Sequence, residues 1–169
     1  MNEIAGSDGR DLLFGTNDDD MILAFDGRNT VLARGGDDKI AGGDDKDLIL
    51  AGHGDDEVLG GGAKDRIFGN RGNDKIDGGA DDDTLSGGLN DDMFIFNFAP
   101  DGGFGHDKIL DFGLGDDMIV LKNASAEDQA KVADAIAEGG FGKTVLDFGE
   151  AGSITVFGFG LSEDDFMFV

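Results

Sequence analysis

No cysteine occurs among the 169 residues, so no disulfide staples the chain and no thiolate metal site exists. No apolar run approaches the ~18 residues of a membrane span, and Met1 to Gly6 contains no N-terminal signal peptide. Basic residues are scarce: 13 Lys and Arg stand against 37 Asp and Glu, for a formal net charge of −24. Nucleic acid and anionic membrane surfaces both want the opposite sign. The partner matched to this charge is a cation. Catalytic apparatus is missing too: the two histidines, His53 and His106, have no H-E-x-x-H context, and G-x-S-x-G does not occur. Both histidines read as surface or loop residues, and the chain as a non-enzyme.

What is abundant is acid and glycine, the latter at 31 residues, and composition alone would predict disorder. The order of the residues overrules it. Gly42 to Leu50, Gly-Gly-Asp-Asp-Lys-Asp-Leu-Ile-Leu, sets a pattern that recurs every nine residues through ten units from Gly6 to Ile95. Position 6 of the units reads Asp11, Asp20, Asn29, Asp38, Asp47, Asp56, Asp65, Asp74, Asp83 and Asp92. Position 8 reads Leu13, Ile22, Val31, Ile40, Ile49, Val58, Ile67, Ile76, Leu85 and Phe94. Position 1 is Gly or Ala throughout, and position 2 is Gly in five units, replaced by Ser7, Thr16, Phe25, Arg34 and Asn70 in the others. Position 4 holds residues that mostly tolerate positive φ or supply a turn. Positions 1 to 6 therefore predict a tight turn, and positions 7 to 9 a three-residue strand with its middle side chain inward. Asn2 to Ala5 fit positions 6 to 9 of a preceding unit, which makes Ile4 an eleventh inward contact.

These units resemble the nonapeptide G-G-x-G-x-D-x-U-x of RTX (repeats-in-toxin, hemolysin-type calcium-binding) proteins, as found in the C-terminal domain of serralysin-type proteases. The resemblance implies an all-β fold: a right-handed parallel β-roll, or β-solenoid, with two units per coil and about five coils. Odd and even units would stack on opposite sides of a thin interior. It also implies Ca2+ sandwiched between successive turns of one side, up to about eight ions, which would cancel about two thirds of the formal charge. Calcium takes hard oxygen ligands in a forgiving geometry, and such turns offer carboxylates and carbonyls together. The implied ligands are the ten position 6 side chains, with backbone carbonyls including those of Gly6, Asp8, Gly15, Asn17, Gly42, Asp44, Gly60, Gly62, Gly69, Arg71, Gly78 and Ala80. Asn29 lacks the charge, and Phe25, Arg34 and Ala63 depart from the glycine pattern, so sites touching the third unit are the weak ones. With one large apolar side chain per nine residues, ion binding would be folding free energy.

Two finer patterns remain. Position 5 carries Arg10, Arg28, Lys46, Lys64 and then Asp82 in odd units, and Asp19, Asp37, Asp55, Asn73 and Asp91 in even ones. That predicts one basic and one acidic edge, serving either charge balance among crowded loops, lateral self-association, or an anionic polymer such as alginate. Position 9 is apolar early (Phe14, Leu23, Leu32, Leu50, Leu59, Phe68) and should point outward, as ordinary strand packing or as a docking face.

After Ile95 the period stops, which divides the chain into a calcium-binding roll over 1–95 and a β-rich cap with one short helix over 96–169. Phe94 to Phe98 reads as a strand broken at Pro100-Asp101-Gly102-Gly103. Asp107–Phe112 and Asp116–Leu121 read as paired strands ending the roll. Ser125 with Asp128 predicts the start of a helix over about 126–138, stopped by Gly139-Gly140. Thr144–Phe148 and Ser153–Phe157 read as a hairpin. The terminal Asp164-Asp165-Phe166-Met167-Phe168-Val169 reads as a last cap strand and also resembles an uncleaved type I export signal. The resemblance thus implies a secreted, extracellular bacterial protein whose partners are calcium and the type I secretion machinery, unfolded in the calcium-poor cytosol and folding outside. A calcium-dependent binding module for an acidic polysaccharide or cell surface is the alternative, and an appendage of a protease, lipase, epimerase or toxin a further one. The half-unit at Asn2 points to a cut from something longer, whereas Met1 is what a start would look like.

Overall fold

A computed structural model describes residues 1–98, 103–138, 142–158 and 160–169. The expected break at Pro100-Asp101-Gly102 and the helix stop at Gly139-Gly140 lie outside the described residues. Eleven strands follow the repeats: β1 (Asn2–Ala5), β2 (Leu12–Phe14), β3 (Asp20–Leu23), β4 (Thr30–Gly35), β5 (Lys39–Gly43), β6 (Leu48–His53), β7 (Glu57–Gly61), β8 (Arg66–Arg71), β9 (Lys75–Gly79), β10 (Thr84–Leu89) and β11 (Met93–Asn97). Then come β12 (Gly105–Phe112), β13 (Met118–Lys122), α1 (Ala126–Glu138), β14 (Thr144–Asp147), β15 (Gly152–Gly158) and β16 (Phe166–Phe168).

These strands form two eight-stranded sheets. One runs β1-β3-β5-β7-β9-β11-β13-β16, the other β14-β15-β12-β10-β8-β6-β4-β2, and every pairing is parallel except β14 with β15. The architecture is a parallel β-roll. Consecutive units alternate between the sheets, so residues 18 apart stack in register, as Ile22 on Ile40, Val31 on Ile49 and Ile67 on Leu85.

The ten position 8 side chains fill the space between the sheets, from Leu13 at 9 % exposure to Phe94 at 0 %. Ile4 packs against the same cluster. Most strands are longer than the three residues expected. In β6 the burial alternates so that Ile49 and Ala51 both face inward while Leu48 and Leu50 face out. The side-chain period of two carries the strand into positions 1 and 2 of the next unit, because stacked coils keep offering ladder hydrogen bonds there. A small residue at position 1 suits an interior this thin. The position 9 residues do point outward: Phe14 and Leu59 are about half exposed, and Arg34 and Arg66 lie over the rings of Phe14 and Phe68 at 5.4 and 5.7 Å.

Beyond Ile95 the stacking continues, which corrects one reading. β12 and β13 do not pair with each other: β12 stacks on β10 and β13 on β11, with Leu85 beside Ile109 and Phe94 beside Ile119. Their spacing from the preceding coil is 24 and 25 residues rather than 18. Helix α1 starts where Ser125 and Asp128 exchange hydrogen bonds, Asp128 N–H to Ser125 Oγ at 3.2 Å and Ser125 N–H to Asp128 Oδ2 at 3.0 Å. The hairpin β14–β15 forms as expected. Phe96, Phe98, Phe104 and Phe148 pack edge to face with ring centroids 5.1 to 6.0 Å apart, and the parallel stacking runs one strand further on each side, β15 on β12 and β16 on β13.

Candidate metal centre

Each position 6 residue follows a turn and opens a strand, which places its side chain beside the neighbouring coil of its own side. One carboxylate oxygen then has a fixed task. The position 6 N–H of one coil donates to Oδ1 of the position 6 residue in the next, as Asp38 to Asp56 at 2.8 Å, Asp47 to Asp65 at 2.7 Å and Asp56 to Asp74 at 2.9 Å. The ladder joins residues that are 18 apart in sequence and nearly all inaccessible to solvent: Asp38, Asp47, Asp56, Asp65, Asp74, Asp83 and Asp92 are each at most 2 % exposed.

The second oxygen of these same seven has no hydrogen-bond partner at all: Oδ2 of each is buried and orphaned. A buried acceptor left unsatisfied costs about 1–3 kcal/mol, and more when charged. Burial pushes the carboxyls of Asp38, Asp47 and Asp74 up to about 6, those of Asp56, Asp65 and Asp92 to about 7 and that of Asp83 to about 8, with the ladder hydrogen bond pulling the other way. Repulsion from nearby carboxylates adds to the rise.

Asp11, Asp20 and Asn29 sit at the corresponding places in the first three units but hold their outer atoms differently. Oδ2 of Asp11 and of Asp20 accepts from the position 2 N–H of its own turn, Ser7 and Thr16 respectively, each at 2.6 Å. Burial presses upward on Asp20 as well, yet bonds from Thr16 and Asn2 outweigh it and hold its carboxyl below the usual range. Asn29 directs Nδ2 at three carbonyls of its own turn, those of Ala24, Phe25 and Asp26.

Sequence reasoning missed two members of the ladder. Asp83 N–H donates to Oδ1 of Asp107 at 2.7 Å, and Asp92 N–H to Oδ1 of Asp117 at 2.9 Å. Both are buried, with the carboxyl of Asp107 raised to about 8 by burial. The available signal was Asp107-Lys108-Ile109 and Asp117-Met118-Ile119, the acid-then-apolar pair of positions 6 and 8, displaced by insertions.

The turn backbone is equally particular. Position 2 has positive φ from the third unit onward, including Phe25 at 62°, Arg34 at 82° and Asn70 at 82°, so the departures from glycine keep the glycine conformation. Gly43 shows why small residues predominate: its φ is 133°, and a Cβ there would overlap the Phe25 carbonyl of the preceding coil. At position 1, a Cβ on Gly60 would come within 2.6 Å of the orphaned oxygen of Asp65. Among the described residues no three acidic or histidine side chains converge on one point. A cation beside these carboxylates would therefore draw most of its ligands from backbone carbonyls, which suits a hard ion of high coordination number. Buried orphaned carboxylate oxygens in carbonyl-rich turns fit calcium.

The edges carry the expected signs. Arg10, Arg28, Lys46 and Arg66 line a hollow of about 280 Å³ on the odd side, while on the even side Asp19, Asp37 and Asp55 accept position 5 N–H groups from the next coil at 2.8 to 3.0 Å.

The match to a known family agrees with this repeat pattern. The RTX calcium-binding nonapeptide repeat family matches in four copies, over residues 2–31, 23–58, 32–65 and 59–94, more than half of the chain. No curated protein matches. Among solved structures, the crystal structure of the extracellular lipase LipA from Serratia marcescens is similar at 20 % identity and a TM-score of 0.36, over 98 % of this chain and 39 % of the lipase. The chain thus spans well under half of that protein's length.

Proposed function

The chain belongs to the RTX calcium-binding nonapeptide repeat family, and we propose that it is a calcium-responsive folding module of a protein exported by a type I route, with a structural rather than a catalytic role. The observation that carries this reading is the row of seven buried, orphaned Oδ2 atoms from Asp38 to Asp92. We assign these aspartates as the side-chain ligands, together with carbonyls of their turns such as those of Gly42, Asp44, Gly60, Gly62, Gly69, Arg71, Gly78 and Ala80. Bound calcium supplies the positive charge that lets two buried oxygens of one carboxylate remain ionised next to backbone dipoles. The protein's own part is positional. Each Oδ1 locks its coil to the neighbour through the ladder, and the thin row of position 8 side chains sets the separation of the sheets.

In a calcium-poor cytosol the burial of these carboxylates is opposed, so the stretch that carries them stays open and fit for a narrow channel. Outside the cell the roll forms, which hinders return. We place the ion-responsive roll in 1–95 and a cap in 96–169. That division is one of sequence period, since the strand ladder runs through it. The C-terminal Phe166–Phe168 strand lies on β13, and a segment read as an export signal during passage can dock there afterwards.

The test is a calcium titration of chelator-treated protein followed by far-UV circular dichroism, with magnesium as control. A sigmoidal gain of β signal with calcium alone is expected. A β signal already complete in chelator would remove the physical basis of the export mechanism.

A further inference from the structure

Among the described residues, every buried side-chain oxygen without a hydrogen-bond partner lies in units four to ten. Three side chains keep units one to three free of them. In the first unit, Oδ2 of Asp11 accepts from both the N–H and the hydroxyl of Ser7, at 2.6 and 2.8 Å. In the second, Oδ2 of Asp20 accepts from the N–H and the hydroxyl of Thr16, at 2.6 and 3.0 Å. Neither Ser7 nor Thr16 adopts the positive φ found at position 2 from Phe25 onward. These two turns fold in on their own carboxylates.

The third unit reaches the same result by another chemistry. Asn29 keeps its place in the ladder, with Oδ1 accepting from Asp11 N–H at 2.8 Å. Its Nδ2 donates to the carbonyls of Ala24, Phe25 and Asp26 at 3.2, 3.2 and 3.3 Å. A donor at one end and acceptors at the other leave a single sensible orientation of the amide. The amide nitrogen stands where an aspartate has its second oxygen, and it brings the positive hydrogens that the turn carbonyls would otherwise take from a metal.

We propose that units one to three close without a cation, with the Asn29 amide as a built-in substitute for one, and that ion binding begins at the fourth unit. This rests on the calcium reading above for the later units and narrows it. The first three turns then form an end that is ordered ahead of metal, presenting the in-register edges of β3 and β4 to β5 and β6. In a stack where each repeat contacts only its neighbours, such an end is where ordering starts.

The test uses the full-length chain, with ions counted by native mass spectrometry at saturating calcium and amide hydrogen exchange followed in chelator. Asn29→Asp should bind one ion more than the parent and lose protection of the third turn in chelator. Asp47→Asn, which moves the amide into the fifth unit, should bind one ion fewer and gain protection there. In the parent in chelator, units one to three should exchange at least about tenfold more slowly than units five to eight. An ion count unchanged in both variants overturns the proposal. If Asn29→Asp does not fold, Asp47→Asn decides alone. If not even the parent binds calcium, the calcium reading fails, whereas the proposal made here is then judged by exchange: equal protection along the chelated array overturns it.

Discussion

Units one to three and units four to ten share one sequence pattern and one fold, yet they satisfy their buried groups in opposite ways. In the first group the outer atoms of Asp11, Asp20 and Asn29 find partners within their own turns. In the second group seven carboxylate oxygens find none. The ladder bond through Oδ1 is common to both: Asp20 N–H reaches Asp38, and Asn29 N–H reaches Asp47, without interruption across the junction. The ladder geometry is therefore the same in both regions. What separates the regions is a hydroxyl at position 2 or an amide at position 6.

The largest expected effect comes from the shared interior. Ile67→Ala removes a fully buried side chain and should cost about 2–5 kcal/mol, seen as a higher calcium midpoint for folding by circular dichroism. Val31→Ala, in the self-closed region, should instead reduce whatever β signal survives in chelator. Next, Asp65→Ala should raise the calcium midpoint by about tenfold or more and flatten the transition, because one ligand serves a cooperative stack. Asp11→Ala should change it by about twofold at most, since that carboxylate already has its donors. Equal shifts from the two substitutions would erase the distinction between the regions.

Acidity sharpens it further. The seven position 6 carboxyls of Asp38, Asp47, Asp56, Asp65, Asp74, Asp83 and Asp92 are raised to between about 6 and about 8 by burial. A folded-state value above the unfolded one contributes stability at low pH that is lost as pH rises through the folded value. Without metal, units four to ten should gain exchange protection as pH is lowered from 8 to about 5. Calcium affinity should move the other way, weakening over the same window because protons compete for the carboxylates. Asp20, held low by its bonds to Thr16 and Asn2, predicts no such gain in the second unit. The smallest effect belongs to the surface. Glu57 bridges Lys39 and Lys75 of the adjacent coils at 3.1 and 2.8 Å. All three are about half exposed, so Glu57→Gln should shift stability by no more than about 0.5 kcal/mol, and less at high salt.

The repeat made much of this legible in advance. Ten position 8 residues were assigned to the interior and are there, and the Ser125 and Asp128 pair located the start of α1. Asp107 and Asp117 escaped because insertions stretch the interval to 24 and 25 residues, and a period cannot be read across a gap of unknown length. Position 1 and 2 residues such as Ala51 and Gly52 looked like turn residues, since glycine-rich segments state what the backbone can do rather than which neighbour it will meet.

The sequence by itself determined the period, the inward placing of position 8 and the ten regularly spaced members of the ladder, because these depend on covalent spacing and on the two-residue repeat of a strand. Only the tertiary structure decided which acids are left wanting a cation. Asp20 and Asp47 are the same residue at the same place in the pattern, and nothing in their spacing separates them, yet only the second is left without a partner. The difference appears when coils stack, water is excluded, and each buried oxygen must take its partner from whatever the adjacent turn presents.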